Sequence, residues 1–480
     1  MKVLLAAQGS RGDVQFLLSL GLALRERGHQ VEIAAPVNFA GWVGSFGLRF
    51  HPAYRDTRER VRAGRGRSAS LRWQIRYVAH ELIPQQFERL RDACPDAELT
   101  VGTGLQFAAP SIAESRRVPY VYAAYTPVSV PTAHIPAPGI RWQHLPRWLN
   151  RASWSLLAVA ANRSVRAPIN AARRQLGLDP VTDVLEYLWR RDPVLVATDP
   201  TLAPRPPDVD ASVCSTAAWV FEEDGELGEE IDQFLSAGPA PVYVGFGCMV
   251  NADPEKLLRI SLEAAEKAGC RLLVQSGWTG LAAGKTRLPG RHRAIEGEVP
   301  HHLLFPRVAG VVHHAGSGTV TTAARAGAPQ IPLPHLADQF YWAARVFSLG
   351  IGPKPLPISR LDARRLARRL RRVLDDGALR RRAHALGREL RGREGRAHAV
   401  ELLEAHRACF ERPASGRAAL RLRPTAGCGD ALSVATPFGP ISFGPHGPVV
   451  GRRSESTNQL EGAVELATSD DPGAAPHRSP

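Results

Sequence analysis

The sequence predicts an α/β protein built from two doubly wound domains, each with a parallel sheet covered by helices. Two observations predict this class. Short apolar runs alternate with amphipathic, helix-length segments, first over residues 2–199 and again over residues 241–349. Such alternation is typical of strand–helix–strand units in a parallel sheet. The chain is also 480 residues long, which is more than one hydrophobic core normally holds.

The first series of elements predicts an N-terminal domain over residues 1–205. Its opening strand–helix–strand unit implies parallel strands joined by a right-handed crossover. A Pro-rich stretch, PTLAPRPPDVD, follows its last strand. The predicted elements are a strand at 2–7, a helix at 14–28 closed by Gly28, strands at 31–36 and 99–104, a helix near 106–116, and strands at 118–125 and 193–199.

The second series predicts a C-terminal domain over residues 239–411, after an acidic, Pro-containing linker at 206–238. Two doubly wound domains bind ligands in a cleft at the carboxyl ends of their strands. Residues 412–480 are rich in Gly, Pro, Ala and Ser without periodicity, so they are predicted to be largely disordered. The predicted elements are strands at 241–247, 271–277, 310–316 and 329–334, and helices at 254–268, between the last two strands, up to Leu349, and at 362–376, 378–390 and 395–410.

Composition favours a globular protein, with 44% hydrophobic and 22% charged residues. A net charge of +15 suits an anionic ligand, nucleic acid or a membrane surface. The cations are mostly Arg on helical faces such as RRLARRLRRV, which favours a solvated basic surface and no specific nucleic acid. Six cysteines without a CxxC pair predict reduced thiols. With no signal-peptide pattern and no apolar stretch of membrane-spanning length, a cytoplasmic location is expected.

The loop QGSRGDVQ follows the first strand, at the end of the sheet where ligands of open α/β folds bind. Gly9 and Gly12 permit a tight turn around Ser10 and Arg11. Asp13 stands where the next helix should begin. Two roles are open for it: the N-cap of that helix, or a carboxylate that projects into the cleft. The loop lacks the G-x-G-x-x-G spacing of a dinucleotide site.

The stretch GVVHHAGSGTVTTAARAG predicts a strand, a glycine-rich turn and a helix. A helix start carries unpaired N–H groups and about half a positive charge, so it binds phosphate readily. Gly316 and Gly318 let the backbone approach an anion, Ser317 and Thr319 add hydroxyl donors, and His314 can donate an N–H. The alternative is that the histidines are ordinary strand-end residues and the glycines serve packing. A P-loop is excluded because its Lys is absent.

Asp338 and Gln339 follow the predicted strand PQIPLP, again at a carboxyl end. An adjacent carboxylate and amide can hold vicinal hydroxyls of a polyol. Helix capping by Asp338 is the alternative. Together, a diphosphate site and a polyol site in one domain predict a nucleotide-sugar ligand.

Four segments resemble the UDP-glycosyltransferase superfamily in that family's order and spacing. They are GSRGDVQ with Asp13, GFGCM at 245–249, VPHHLLFPRVAGVVHHAGSGT at 299–319 and ADQFYWAARVFSLGIGP at 337–353. The resemblance covers about residues 1–410 and is strongest to bacterial antibiotic glycosyltransferases and sterol 3-β-glucosyltransferases. It implies the GT-B fold, in which two Rossmann-like domains face a cleft and the last helices cross back onto the first domain.

The resemblance also implies a role for each matching residue. Asp13 would be the general base, and the diphosphate would lie at the helix start beside His314. Val299 would lie at the nucleotide base. The residues assigned to the donor in this way are Gly247, Cys248, Val299, His314, Gly316, Ser317, Gly318, Thr319, Asp338 and Gln339.

The chain departs from the family pattern at several of these positions. The family usually has HHGGAGTT, where this chain has Ala315 and Val320 in place of a glycine and a threonine. The absent hydroxyl at Val320 puts one donor contact in question. Cys248 stands where serine is common, and VPHH stands where VPHD is frequent.

The predicted reaction is transfer of a hexose from a UDP- or dTDP-sugar to a hydroxyl of a lipophilic acceptor, with inversion and with no metal or cofactor. No DxD-type acidic cluster occurs in the cleft loops of the sequence. The alternatives are a nucleotide-sugar epimerase, a lipid-linked cell-wall N-acetylglucosaminyl transferase and a non-catalytic nucleotide-sugar-binding protein. The second usually carries His where Asp13 stands.

The acceptor is expected against the segment from about 54 to 190, which is rich in tryptophan. These side chains serve either core packing or an acceptor pocket, and they favour a sterol, a terpenoid or a polyketide. The basic loop at 55–67 is a candidate contact for a membrane surface or an acidic acceptor, with a solvated loop as the alternative. The tryptophans are Trp73, Trp142, Trp148, Trp154 and Trp189.

Overall fold

The structure is a computed structural model, and it describes most of the chain up to residue 410. Beyond that point it describes only the backbone of three short strands. The described residues are 1–59, 75–189, 193–249, 251, 253–278, 280–282, 284, 288–410, 433–436, 439–444 and 447–449.

The first sheet has seven parallel strands with helices on both faces. Its elements are β1 (Lys2–Gln8), α1 (Arg11–Glu26), β2 (Gln30–Pro36), α2 (Ala40–Ser45), β3 (Arg49–Tyr54), α3 (Ile83–Leu90), β4 (Leu99–Gly104), α4 (Ala109–Arg116), β5 (Tyr120–Ala124), α5 (Arg147–Gln175), α6 (Val184–Trp189), β6 (Val194–Val196) and β7 (Val213–Ser215). The strand order is β3-β2-β1-β4-β5-β6-β7. β1, β4 and β5 are almost wholly buried, as expected for a parallel sheet covered on both faces.

The second sheet has five parallel strands. Its elements and the helices around it are α7 (Glu229–Ser236), β8 (Val242–Gly245), α8 (Pro254–Ala268), β9 (Leu272–Gln275), β10 (Arg293–Ile295), α9 (His301–Leu304), β11 (Gly310–His313), α10 (Ser317–Ala326), β12 (Gln330–Pro332), α11 (Gln339–Ser348), α12 (Ala363–Asp375), α13 (Gly377–Arg391) and α14 (Arg396–Phe410). The strand order is β10-β9-β8-β11-β12. In both sheets the order reverses beside the first strand, which is where doubly wound folds bind ligands.

The two sheets are joined by an apolar cluster and by charged contacts. Val128 and Leu202 of the first part pack with Trp342 of the second. The Arg393 guanidinium donates to the Asp199 carboxylate at 2.7 Å. The last helix, α14, packs against α1, where Glu404 accepts hydrogen bonds from the N-terminal part of the chain.

The predicted elements occur in the structure in the same order and type, but some boundaries differ and several elements were not predicted. β7 pairs with β6, so the first sheet continues past residue 205 and the linker begins after Ser215. α1 starts at Arg11 rather than at residue 14, because Ser10 occupies the N-cap position. Several elements have no counterpart among the predicted ones: the 29-residue helix α5, the strands β3 and β10, and the short helices α2, α3, α6, α7 and α9.

The predicted disorder of 412–480 falls largely on residues outside the described part and stays a prediction. Within that range the structure describes three strands, Ser433–Thr436, Gly439–Gly444 and Gly447–Val449, paired as an antiparallel sheet. Among the helices described, none combines the length and apolar character that crossing a bilayer requires.

α5 attaches to the first domain through a buried arginine near its C-terminal end. Arg173 is 3% exposed and donates to both carboxylate oxygens of Glu114, at 2.9 and 3.0 Å. It also donates to the Ser111 hydroxyl at 2.9 Å and to the Asp179 carbonyl at 2.7 Å. Removing one partner of such a network leaves the others desolvated and unpaired.

We therefore expect Arg173→Met to lower the free energy of unfolding by about 2–3 kcal/mol, less than the loss of about 3–5 kcal/mol for a fully buried pair because Glu114 is partly exposed. The neighbouring exposed Arg174→Met is the matched control and should change stability by less than about 0.5 kcal/mol. Urea unfolding followed by circular dichroism measures both. Equal effects of the two substitutions would contradict the assignment.

Candidate active site

The loops at the carboxyl ends of the two sheets meet across a cleft. Arg11, after β1, forms an ion pair with Glu298 of the second domain. Phe39, after β2, stacks on Trp278, after β9, with ring centroids 6.3 Å apart. The Gly139 N–H donates to the Ala337 carbonyl at 3.1 Å. These contacts bring the strand ends that carry the predicted site residues to one place.

Asp13 lies in the first turn of α1, half-buried at the wall of this cleft. Its Oδ2 accepts from the Ser10 backbone N–H at 2.7 Å and from the Ser10 hydroxyl at 3.2 Å. Ser10 and not Asp13 is the N-cap, so the N-cap alternative for Asp13 is wrong. Asp13 instead closes a capping box from the third helical position.

Burial raises the pKa of the Asp13 carboxyl above its usual range, and hydrogen bonds from Ser10 and from the Tyr125 hydroxyl oppose that rise. The Asp13 charge and burial raise the pKa of Tyr125 well above its usual range. Tyr125 is therefore a neutral O–H donor at physiological pH. A carboxylate with a raised pKa is a stronger base than a solvated one.

Two glycines make room for this carboxylate. Gly9 has a φ of 147°, and a Cβ built there would lie 2.2 Å from Asp13 Oδ2. Gly104, at the end of β4, has a φ of 70°, and its Cβ would lie 2.7 Å from the Gln8 carbonyl oxygen and 3.4 Å from Asp13 Oδ1. Gly12 is exposed, and the nearest atom to its Cβ would be 3.9 Å away.

Arg11, in the same loop, is engaged in ion pairs. Its guanidinium lies 3.0 Å from Glu223 Oε2 in the linker, pairs with Glu298 and lies 4.1 Å from the centre of the Trp42 ring. Trp42 Nε1 donates to the same Glu223. Arg11 therefore connects the loop of Asp13 to the linker and to the segment before Val299.

The opposite wall is formed by the start of α10. Gly316 is its N-cap, in extended backbone, and Ser317, Gly318 and Thr319 are its first three residues. Gly316 accepts the first intrahelical bond, from Val320. The N–H groups of the first turn have no intrahelical acceptor, so three backbone donors converge here with the positive end of the helix dipole.

His314 lies between this turn and the end of β8. A Cβ on Gly316 would lie 2.4 Å from His314 Nε2, and one on Gly247 would lie 3.5 Å from its Cε1. The Nδ1 atom is buried without a hydrogen-bond partner among the described residues. Burial lowers the pKa of His314 to about 3, so the ring is neutral at physiological pH and carries one N–H to donate.

His313 and Ala315 flank His314 and belong to the core. His313 is fully buried, and its Nδ1 accepts from the Ala315 N–H at 3.1 Å. Ala315 has a φ of 68°, the left-handed region that explains why the family has glycine at this position. Val320 is also fully buried, in the cluster that joins the two domains. The side chain that replaces the family threonine therefore faces the core rather than the cleft.

Asp338 and Gln339 begin α11, near the carboxyl end of β12. Asp338 Oδ2 accepts from Trp342 Nε1 at 3.1 Å. Burial first, and then the charge of Asp13, raise the pKa of Asp338 to about 6. This electrostatic coupling reflects that the carboxylates of the two domains are neighbours across the cleft.

Gln339 is 4% exposed, and its own loop engages its amide group. The Oε1 atom accepts from the backbone N–H groups of His335 and Leu336, at 2.8 and 3.2 Å, and Nε2 donates to Met249 Sδ at 3.2 Å. The side-chain carbonyl oxygen of Gln339 therefore stabilises the turn before Asp338. A direct bond from that oxygen to a sugar would require the turn to open.

The remaining predicted donor residues line the same cleft. Gly247 has a φ of 55°, and its carbonyl accepts from the Trp278 N–H at 3.1 Å. Cys248 follows it and is partly exposed. The Val299 side chain packs against the second-domain core.

Sequence reasoning missed Tyr125, Trp278, His335 and Asn251. His335 Nδ1 lies 2.9 Å from the Leu333 carbonyl and Nε2 lies 3.1 Å from Asn251 Oδ1, and burial lowers the pKa of His335 to about 4. A signal for Tyr125 was present, since it directly follows a strand. Only the tertiary structure shows that it faces Asp13.

The tryptophans fall into two groups. Trp154 and Trp189 are buried in the first domain, with edge-to-face ring centroids 5.9 Å apart, so they serve the core. Trp142 and Trp148 are exposed at the surface. Trp73 and residues 60–67 of the basic loop lie outside the described residues.

Several known proteins are similar to this chain in sequence and in fold. Residues 3–134 match the glycosyltransferase family 28 N-terminal domain, and residues 281–405 match the erythromycin biosynthesis protein CIII-like C-terminal domain. The chain is 36% identical over 359 residues to the vancomycin aglycone glucosyltransferase of Amycolatopsis orientalis, covering 73% of this chain and 85% of that protein. It is 30% identical over 433 residues to the Arabidopsis thaliana sterol 3-beta-glucosyltransferase UGT80B1, covering 85% of this chain and 68% of that protein.

Among solved structures, the glycosyltransferase VinC in complex with dTDP superposes with a TM-score of 0.61 at 21% identity, covering 85% of this chain and all of that one. The spinosyn forosaminyltransferase SpnP superposes with a TM-score of 0.63 at 19% identity, covering 85% and 99%. These similarities confirm the GT-B fold. The chain belongs to the glycosyltransferase family that contains these antibiotic and sterol enzymes, and it is a hexosyltransferase.

The glycine environment of Asp13 leads to a direct test. Gly9→Ala would drive a methyl group into the Asp13 carboxylate, so we expect turnover to fall by about 100-fold, the scale of a misplaced general base. Gly12→Ala, in the same loop but in open space, should retain turnover within a few-fold. Initial rates of nucleotide release measure both, and thermal denaturation confirms folding. Comparable losses in the two variants would argue against steric displacement of Asp13.

Proposed function

We propose that this enzyme transfers a hexose from a UDP- or dTDP-sugar to a hydroxyl group of a lipophilic acceptor, a sterol, terpenoid or polyketide, with inversion at the anomeric carbon. The proposal depends on what lies on the two sides of the cleft. On one side, the start of α10 has unpaired amides beside His314, whose Nδ1 has no hydrogen-bond partner among the described residues. On the other side lies the half-buried carboxylate of Asp13. An anionic leaving group fits the first side and a proton acceptor the second.

The diphosphate of the donor is assigned to the amides of Ser317, Gly318 and Thr319 and to His314. The site is well suited to a leaving group because charge grows on the bridging oxygen as the bond to the sugar breaks. The proposal includes no metal or cofactor, since the helix dipole and the amides supply the positive potential that a metal provides in other transferases. The solved VinC structure contains dTDP, which supports a nucleoside diphosphate here.

The reaction is a single displacement. Asp13 takes the proton of the acceptor hydroxyl, and that oxygen forms a bond to the anomeric carbon on the face opposite the diphosphate. The bond from the carbon to the diphosphate oxygen breaks, and the nucleoside diphosphate leaves with the electron pair. Attack opposite the leaving group inverts the anomeric configuration. Asp338 is assigned to the hydroxyls of the sugar.

The lipophilic acceptor is supported by the apolar side chains around Asp13. Val37 follows β2 and Leu105 follows β4, the two neighbours of β1, and they are 43% and 47% exposed. Leu336, 50% exposed, precedes Asp338 on the other wall. Exposed large apolar residues are few in the described chain, so their grouping at the strand ends indicates a site for an apolar ligand. The name of the sterol relative agrees with such an acceptor, and that of the antibiotic relative agrees only with a natural-product aglycone.

The role of Asp13 predicts the behaviour of an isosteric variant. Asp13→Asn cannot accept the proton, so we expect kcat to fall by about 10²–10⁴-fold while the dissociation constant for UDP or dTDP stays within about threefold. Product formation is followed by mass spectrometry with a panel of donors and lipophilic acceptors, and nucleotide binding by calorimetry. Unchanged turnover would remove Asp13 from its role. Release of nucleotide by the wild type that does not depend on acceptor would contradict a transferase.

The hydrogen bond from Tyr125 predicts a pH effect. Tyr125→Phe removes a donor that favours the ionised form, so the pKa of Asp13 should rise further. Since the base works only when ionised, the acid limb of kcat/KM should move to higher pH. Tyr122→Phe is the control, because its hydroxyl donates to the Gly104 carbonyl at 3.3 Å and not to a carboxylate. An acid limb that stays in place, or moves to lower pH, would refute the assigned contact.

A further inference from the structure

The outer surface of α5 exposes large apolar side chains together with arginines. Trp148, Leu156 and Val159 are 67%, 71% and 58% exposed, and Trp142, just before the helix, is 71% exposed. Together with Arg147, Arg151, Arg163 and Arg174, these residues are called the α5 surface below. Half of the large hydrophobic side chains that are exposed in the described residues lie between positions 142 and 159.

The helix has one buried side and one exposed side along its length, and both carry apolar residues. Trp154, Val165 and Ile169 face the first-domain core. Trp148, Ala152, Leu156, Val159 and Arg163 follow one another at intervals of three or four residues, so they form one stripe on the opposite side, and all five are exposed. The stripe is therefore a consequence of helical register and not of a loop conformation.

The charge of this surface has a single sign. No Asp or Glu occurs between Arg147 and Gln175. Among the described residues, no ion pair is found for Arg147, Arg151, Arg163 or Arg174. The buried Arg173, paired with Glu114, is not part of the surface. Arg166 is also excluded, because it donates to the Thr182 carbonyl and lies near Asp183.

We propose that the α5 surface docks this enzyme on an anionic lipid bilayer, with the helix lying in the plane of the headgroups. Tryptophan has an apolar body and a polar N–H, and it concentrates at this depth of a membrane. Arginine stems extend over apolar surface while their guanidinium groups meet lipid phosphates. A stripe of exposed apolar residues flanked by cations is the pattern of an interfacial helix.

A second Arg-rich helix shows that charge alone does not produce this pattern. α12 exposes Arg364, Arg365, Arg368, Arg371 and Arg372, but its apolar residues Leu366, Leu370 and Val373 are all buried. It therefore presents a solvated basic face and provides an internal control. The basic loop at 55–67 is a separate candidate from the sequence, and its residues 60–67 lie outside the described part of the chain.

The position of the α5 surface relates it to the cleft. The segment that carries Trp142 also holds Gly139, whose N–H donates to the Ala337 carbonyl beside Asp338, and Arg141, which lies 5.9 Å from the Phe340 ring centre. Docking would therefore place lipid near the rim of the cleft. On the proposed function, a membrane-dissolved acceptor would reach Asp13 from that side.

The test is flotation of the full chain with vesicles of phosphatidylcholine alone or with phosphatidylglycerol. An apolar variant, Trp142→Ser, Trp148→Ser and Leu156→Ser, and a charge variant, Arg147→Gln, Arg151→Gln and Arg163→Gln, are compared with the wild type. The matched controls are Arg364→Gln, Arg368→Gln and Arg371→Gln on α12, and Phe347→Ser, an exposed apolar residue outside the surface.

We expect the wild type to bind the anionic vesicles and each α5 variant to lose about tenfold or more in partitioning. The charge variant loses attraction to the lipid phosphates, and the apolar variant loses apolar burial at the interface. The controls should stay within about twofold. No binding by the wild type, or an equal loss in the α12 control, would overturn the proposal. So would light scattering that shows a dimer dispersed by the apolar variant, because the surface would then join two copies. Vesicle binding is independent of turnover, so its failure and the failure of the proposed transfer are distinguishable.

Discussion

The partly desolvated carboxylate of Asp13 is the constraint on which the rest of the site depends. A carboxylate that leaves water must be compensated, and here the compensation comes from hydrogen bonds of Ser10 and Tyr125. The compensation is incomplete, since the pKa remains raised. That balance requires the Gly9 backbone at a φ of 147° and a second glycine at the end of β4. The sheet order brings these groups together, because it places β4 beside β1 and β5 beside β4.

The opposing wall presents positive potential without a mobile cation. His314 is neutral because burial lowers its pKa to about 3, and the remaining donors are backbone amides fixed by α10. Fixed dipoles need little reorganisation when charge develops on a leaving group. The interdomain cluster around Val320 and Trp342 and the ion pair of Arg11 with Glu298 hold this wall against the wall of Asp13. The strained φ of Ala315 lies within the same turn.

Much of this could be predicted from the sequence, for a physical reason. Periodicity reports burial, so long elements such as α8 and α12 were predicted within a residue of their bounds. Loops at strand ends could be assigned because parallel sheets place them at one edge. The burial of Val320 at the domain junction could not be predicted, since only the tertiary structure shows it. Gln339 was expected at the sugar, but its amide is committed to the turn of His335, a contact with no sequence signal.

The strand β7 and the helix α5 are elements that could not be predicted from the sequence. β7 has three residues, too few for a period to be recognised, and its identity as a strand depends on pairing with β6. The outward side of α5 carries Trp148 and Leu156, so its pattern is apolar on both faces and obscures the helical period. These exposed apolar side chains are also the ones for which a lipid contact is proposed.

The central claim is that the start of α10 holds the diphosphate across the cleft from Asp13. A crystal structure of the wild-type chain with UDP or dTDP tests it most directly. The account predicts phosphate oxygens within hydrogen-bond distance of the Ser317–Thr319 amides and of His314, with the Asp13 carboxylate facing the terminal phosphate across open space. A nucleotide bound elsewhere, with those amides covered by protein side chains, would contradict it.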